Sequence, residues 1–179
     1  MHIYRYLRKT VDKRLTFRGK GDLIPLGYVD ADWAADTNDR WSTAGHVFMM
    51  AGGAVSWSSK KQESVALSST EAKYMAAVSA TREAIWIQTF LNELGILPIQ
   101  NIHLLVDNQS VIALAKNAIF HSRMKHIAIH YHFICKRVDA GDIKLEYVHM
   151  NAQVADVLMK PLVREKHERF IEGMGLIGH

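Results

Sequence analysis

Four carboxylates, Asp30, Glu71, Asp107 and Asp156, each stand where an apolar segment meets the next element. Leu26 to Asp32, Leu-Gly-Tyr-Val-Asp-Ala-Asp, is an apolar run ending in two acids one residue apart; Ile102 to Asp107, Ile-His-Leu-Leu-Val-Asp, repeats the design. If these runs are parallel neighbouring strands, Asp30 and Asp107 emerge together at their carboxyl ends, where open α/β sheets take ligands. Short connections bring helix starts to the same edge, which is where Glu71 and Asp156 fall. Four carboxylates on one rim repel one another unless a cation neutralises them. Hard oxygen donors select Mg2+ or Mn2+ over zinc. Paired ions held this way clamp the attacking and leaving oxygens of a phosphate ester.

Each acid also has a structural reading. Asp30 can be a turn residue at a strand end, and Glu71 the acidic member of the capping box Ser68-Ser69-Thr70-Glu71. Asp107 can cap the helix it precedes, and Asp156 can complement a helix dipole. Convergence on one edge separates the two readings.

The elements that must do the positioning follow from punctuation and periodicity. Ile24, Leu26, Tyr28 and Val29, bounded by Pro25 and Gly27, predict a short buried strand. His46 to Ala51 and Ala54 to Trp57, joined through Gly52-Gly53, predict a hairpin. Ser58 to Gln62 follows as an exposed basic loop. From Ser68 no Pro or Gly interrupts a long helix until Gly95, and its wide apolar surface suits packing flat on a sheet. Beyond the 102–107 strand, helices are predicted over Asn108 to Asn117 and about 125 to 138. Asp142 to His149 alternates as a strand, Val154 to Lys160 is helical, and Arg164 to Met174 forms a basic amphipathic helix. This order implies an α/β fold with a five-stranded mixed sheet and helices on both faces. Trp33, Trp57 and Trp86 sit among apolar neighbours and are expected in the core.

The totals are compatible with that picture. A chain of 179 residues, 49% hydrophobic and 22% charged, favours one domain, and no apolar run is long enough to span a bilayer. No membrane partner is expected. The formal charge of +4 permits a polyanionic partner without demanding one. The single cysteine, Cys135, excludes an intramolecular disulfide and suits a reducing, intracellular compartment. The basic start, Met-His-Ile-Tyr-Arg-Tyr-Leu-Arg-Lys, does not fit a secretory signal. Among ten histidines, His126 and His130 have chelating spacing, but no Cys or Glu-flanked partner completes a zinc site. With His121, His132, Arg123, Lys125, Lys136 and Arg137 they form a basic face suited to phosphate. Lys60 and Lys61 are the other phosphate candidates.

Gly-Tyr-Val-Asp-Ala-Asp-Trp-Ala (27 to 34), Ser-Thr-Ala-Gly (42 to 45), Ser-Trp-Ser-Ser-Lys-Lys-Gln (56 to 62), Ala-Leu-Ser-Ser-Thr-Glu-Ala-Lys-Tyr (66 to 74), Asp-Asn-Gln-Ser (107 to 110), Lys-His-Ile (125 to 127) and Ala-Asp-Val-Leu-Met-Lys (155 to 160) run in order along the chain. Together they resemble the ribonuclease H domain of Ty1/copia-type retrotransposon Pol polyproteins, from about residue 26 onward. Tyr4-Arg-Tyr-Leu-Arg-Lys-Thr resembles the last helix joining reverse transcriptase to that domain. The resemblance therefore divides the chain into a linker over 1–22 and an RNase H-like domain over 23–179.

The resemblance implies an endonuclease that cuts the RNA strand of RNA/DNA hybrids with two Mg2+ ions, for which Mn2+ can substitute. Asp30, Glu71, Asp107 and Asp156 would be its catalytic and metal-binding acids, with Asp32 the rival to Asp30. The family's mobile histidine would fall on His149. Lys60, Lys61, Asn108, Arg123 and Lys125 are the expected nucleic-acid contacts, and an upstream reverse transcriptase is the expected protein partner. Trp41, His46 and Arg14 depart from the usual Arg, Tyr and Gly. The alternative is a catalytically silent hybrid-binding or structural module supporting a reverse transcriptase.

Overall fold

The computed structural model of the chain describes residues 2–19, 23–34, 40–95, 98–116 and 128–178. Helix α1 (His2–Lys9) precedes β1 (Lys13–Leu15), then β2 (Leu26–Asp32), β3 (Thr43–Met50) and β4 (Gly53–Lys61). Next come α2 (Ser69–Glu93), β5 (Ile102–Val106), α3 (Gln109–Lys116), α4 (Ala128–Asp139) and β6 (Ile143–Tyr147). Two 3-10 turns (Met150–Ala152 and Val154–Leu158), α5 (Arg164–Gly173) and β7 (Leu176–Gly178) complete the chain.

Five strands form one sheet in the order β4-β3-β2-β5-β6. The β4/β3 and β3/β2 pairs are antiparallel, and β2/β5 and β5/β6 are parallel, giving the mixed sheet expected from the element order. Alternation along β2 and β3 distributes apolar side chains to both faces. Val29, Ala31 and Phe48 pack with Leu104 against α2, α3 and α4, where Tyr74, Val111, Tyr131 and Ile134 are buried. On the opposite face Tyr28 and Val47 meet Ala54, Val154, Phe170 and Met174. Ala72, Ala76, Ala77, Ala80 and Ala84 make the sheet-facing side of α2 low, so the helix lies close to the strands. Gly27 serves the same closeness: a Cβ there would stand 2.6 Å from Leu104 Cδ2 and 2.8 Å from Phe48 Cε1.

Four features differ from the sequence expectation. β4 continues to Lys61, so Ser58 to Lys61 is strand and not loop; its exposed face belongs to the edge of the sheet. The segment around Asp156 is a pair of 3-10 turns, shorter and tighter than the helix expected over 154–160. β1 pairs antiparallel with β7, tying residues 13–15 of the expected linker to residues 176–178. Thr16 N–H also donates to Gly175 O at 2.8 Å. The three tryptophans expected in the core are exposed, at 47% for Trp33, 57% for Trp57 and 58% for Trp86. Trp86 points outward from α2 and stacks on Phe90 at 5.4 Å, Trp57 projects from the edge strand, and Trp33 lies just past β2 with its indole N–H on Ala66 O.

His46, on β3, is 6% exposed. Burial lowers its pKa below the ordinary histidine value; Glu83 opposes this and Lys60 adds to it. The unfolded chain therefore takes up a proton at this residue before the folded one does. Stability contributed by neutral His46 is intact above the unfolded pKa of about 6.5 and is lost as pH falls below it. Replacing His46 with Phe should flatten this response, so the urea midpoint of the variant should drop less than the parent's between about pH 7.5 and 5.5. Equal drops would assign the acid response to other groups.

Candidate active site

The parallel register of β2 and β5 pairs Val29 with Val106, so Asp30 and Asp107 leave the pair side by side. Asp30 is completely enclosed at its side chain, and Asp107 is 11% exposed. Between them stands Lys73, from the first turns of α2. Its Nζ donates to Asp30 Oδ1 at 2.6 Å and also to Asp107 Oδ1. Ala72 and Tyr74 on either side of Lys73 are buried, and Tyr74 stacks on Tyr131 of α4, which anchors that turn of α2.

Asp156 reaches the same place from the second 3-10 turn. Lys160, one turn further on, donates to Asp30 Oδ2 at 2.6 Å and to Asp156 Oδ1 at 2.9 Å. Lys166, from α5, donates to Asp156 Oδ2 at 2.9 Å and lies 5.1 Å over the Phe170 ring. Three carboxylates and three ammonium groups thus alternate along one chain of contacts, with Asp30 at its centre. Burial tends to lower the pKa of Lys160, but hydrogen bonds and charge from Asp30 and Asp156 outweigh it and hold the ammonium well above its usual range. Asp32 lies on the border of the cluster. Burial raises its pKa, Asp30 and Asp156 add to the rise, and Lys160 and Lys73 oppose it.

Gln153 positions the turn that carries Asp156. It is fully buried, and its Nε2 donates to Val29 O at 2.9 Å and Leu105 O at 3.3 Å, carbonyls one and two residues before Asp30 and Asp107. Its Oε1 accepts from Ala155 N, opening the turn. One amide therefore gauges the separation between two strand ends and the third acid. Ser59 Oγ on β4 adds a bond to Leu158 O at 2.6 Å. Gly45, opposite Asp30 in the β2/β3 register, lets Met159 approach: a Cβ there would meet its side chain at 3.2 Å.

The other expected residues have mixed placements. Glu71 is 7% exposed at the head of α2; its N–H donates to Ser68 Oγ at 3.1 Å and its Oε2 accepts from Leu67 N at 3.1 Å. Asn108, not Asp107, caps α3, with Oδ1 accepting from Ser110 N at 2.8 Å, which leaves the Asp107 carboxylate for Lys73. His149 is exposed and accepts from Asn151 N through Nδ1, opening the first 3-10 turn. Lys60 and Lys61 line a groove of about 390 Å3 with Ser64, Ser79, Arg82 and His130. Gln62 Oε1 and His130 Nδ1, both buried, have no hydrogen-bond partner among the described residues. Arg123, Lys125, His121 and His126 lie outside the described residues.

Aspartate oxygens without thiolates are the donors that hard divalent ions take, so the chemistry of the donor set fits Mg2+ or Mn2+. Among the described residues, however, no three acidic or histidine side chains are grouped to hold one ion. Ammonium groups stand between the aspartates instead. Lys73, Lys160, Lys166 and Gln153 escaped the sequence reading. The i, i+4 spacing of Asp156 and Lys160 was the available signal for one of them.

No family model matches the chain. It is 44% identical over 174 residues to the retrovirus-related Pol polyprotein from transposon TNT 1-94 of Nicotiana tabacum, a match covering 97% of this chain and 13% of that protein. It is 42% identical over 176 residues to the Pol polyprotein from transposon RE2 of Arabidopsis thaliana, covering 98% and 12%. The chain thus spans about one eighth of the length of these relatives. Among solved structures, LC11-RNase H1 in complex with RNA/DNA hybrid superposes with a TM-score of 0.56 at 15% identity, covering 75% of this chain and 93% of that one. Prototype foamy virus protease-reverse transcriptase gives 0.50 at 13% identity, covering 92% and 22%. By sequence, over nearly its whole length, the chain is a homologue of one segment of the Ty1/copia-type Pol polyproteins, and its fold is that of RNase H domains.

Proposed function

We propose that the chain hydrolyses the RNA strand of RNA/DNA hybrids, as the nuclease segment of a retrotransposon reverse transcriptase polyprotein. The observation that carries this is the convergence of Asp30, Asp107 and Asp156 at the carboxyl ends of two parallel strands in an RNase H fold. Those three with Glu71 would hold the divalent cations, which when bound lower the pKa of a water and neutralise charge on the scissile phosphate. Asp30, enclosed by the sheet, fixes the centre of the arrangement. Gln153 sets the distance of Asp156 from it. His149, exposed at the start of the first 3-10 turn, would pass a proton or ease product departure. RNA would be chosen over DNA by contacts to 2′-hydroxyls, and hybrid over duplex RNA by shape.

Lys60, Lys61 and Arg82 supply positive charge along the groove beside α2, where a strand backbone would lie. Lys60 is exposed at the end of β4. Lys60→Ala should weaken hybrid binding uniformly across sequences and reduce the slope of log affinity against log salt by about 1. Fluorescence anisotropy across a salt series measures it, and an unchanged slope would remove Lys60 from the interface.

The test of the activity is a strand-labelled hybrid incubated with the chain in Mg2+, in Mn2+ and in chelator. Cutting of the RNA strand alone, only with a divalent ion, is the expected result; binding without cutting would reject it. The second reading, a silent module that binds hybrid or supports a reverse transcriptase, is favoured by one observation: lysine ammonium groups stand between the acids.

A further inference from the structure

Lys73 stands two residues after Glu71, in the first turns of the longest helix, and its side chain is 17% exposed. Its ammonium is shared by Asp30 and Asp107, the two acids delivered by the parallel strands. Asp30 meets Lys160 through its other oxygen, so the two lysines approach it from different sides. We propose that Lys73 is a resident counter-ion: it neutralises Asp30 and Asp107 while no divalent ion is bound, and must withdraw before an ion can bridge them. This rests on the reading of these acids as a cation-binding rim.

The physical reasoning is a competition for the same oxygens. Without a cation, enclosing the Asp30 carboxylate beside Asp107 would leave a costly unpaired charge. The Lys73 ammonium removes that cost from within the chain. Asp30 and Asp107 would hold a divalent ion only with oxygens that the Lys73 ammonium occupies. The ion's apparent affinity is its intrinsic affinity reduced by the fraction of molecules in which Lys73 has swung away. The partial exposure of the Lys73 side chain gives the ammonium a route to solvent, while its helical turn stays anchored by Ala72 and Tyr74. Ion arrival is thereby coupled to one lysine leaving the acids.

The experiment is a titration of the whole chain with Mn2+, following the free-ion signal by electron paramagnetic resonance, for the parent, Lys73→Met and Lys73→Arg. Lys73→Met should bind Mn2+ about tenfold more tightly or better, and Lys73→Arg should stay near the parent because it keeps the competing cation. Lys73→Gln, which retains a donor without the charge, replaces the methionine variant if that one does not fold, under the same criterion. An affinity unchanged or weakened in the uncharged variant overturns the inference, as does an arginine variant that binds as tightly as the uncharged one. Tighter Mn2+ binding with no hybrid cut by any variant upholds the counter-ion and rejects hydrolysis. Hybrid cut by the parent with no gain in Mn2+ affinity does the reverse.

Discussion

Asp107→Asn is expected to reduce divalent-dependent cutting of the hybrid by about 1,000-fold or more while leaving the fold intact. Charge stabilisation by a held cation contributes several kcal/mol to such a reaction, and each 1.4 kcal/mol or so is tenfold in rate. Asn keeps the shape of Asp and removes the charge that shares Lys73. Asp107 is the better test than Asp30. Its side chain is 11% exposed and meets one ammonium, whereas Asp30 is enclosed between two. Neutralising Asp30 would take a carboxylate partner from both Lys73 and Lys160 at a fully enclosed position, mixing loss of fold with loss of chemistry. The measurement is the initial rate on labelled hybrid at saturating Mg2+, beside thermal melts of both proteins. Cutting at the parental rate would take Asp107 out of the site.

Gln153→Leu is expected to cost about 2–4 kcal/mol of stability, because the carbonyls of Val29 and Leu105 lose their buried donor and leucine supplies no replacement. Activity should fall further than the folded fraction explains, since the amide also opens the turn that carries Asp156. Ser59→Ala is the comparison. It removes the exposed tie from β4 to Leu158 O and should cost only about 0.5–1.5 kcal/mol. Urea unfolding and cutting rates, measured where both variants are folded, separate these effects. A Gln153→Leu chain as stable as the parent would show that the amide does not hold the strand ends.

The sheet and its connections were legible because their signals are local. The apolar runs before Asp30 and Asp107, the Gly52-Gly53 turn and the Ser68 cap each announce themselves within a few residues. The long-range contacts that assemble the rim were not, because they join distant positions: Lys73 to Asp30 spans 43 residues, Lys160 to Asp30 spans 130, and Gln153 to Val29 spans 124. The 3-10 geometry of 154–158 was hidden by an apolar pattern too short to distinguish turn types. The tryptophans misled for a related reason. Neighbouring apolar residues do not reveal which side of an edge strand or helix faces the core, and Trp57 and Trp86 occupy the outer sides. Asp107 was readable as a cap until Asn108 was seen to do that work.

The small ribbon of β1 and β7 has a mechanical consequence. Lys13 lies opposite Gly178, so the leading end of one strand and the trailing end of the other leave the ribbon at the same edge. Tension applied to both would open its rungs one after another, like a zip, instead of shearing them together. The five-stranded sheet would feel no load until that fastening had parted, making the ribbon a mechanical fuse between the aspartate rim and whatever pulls on its flanks.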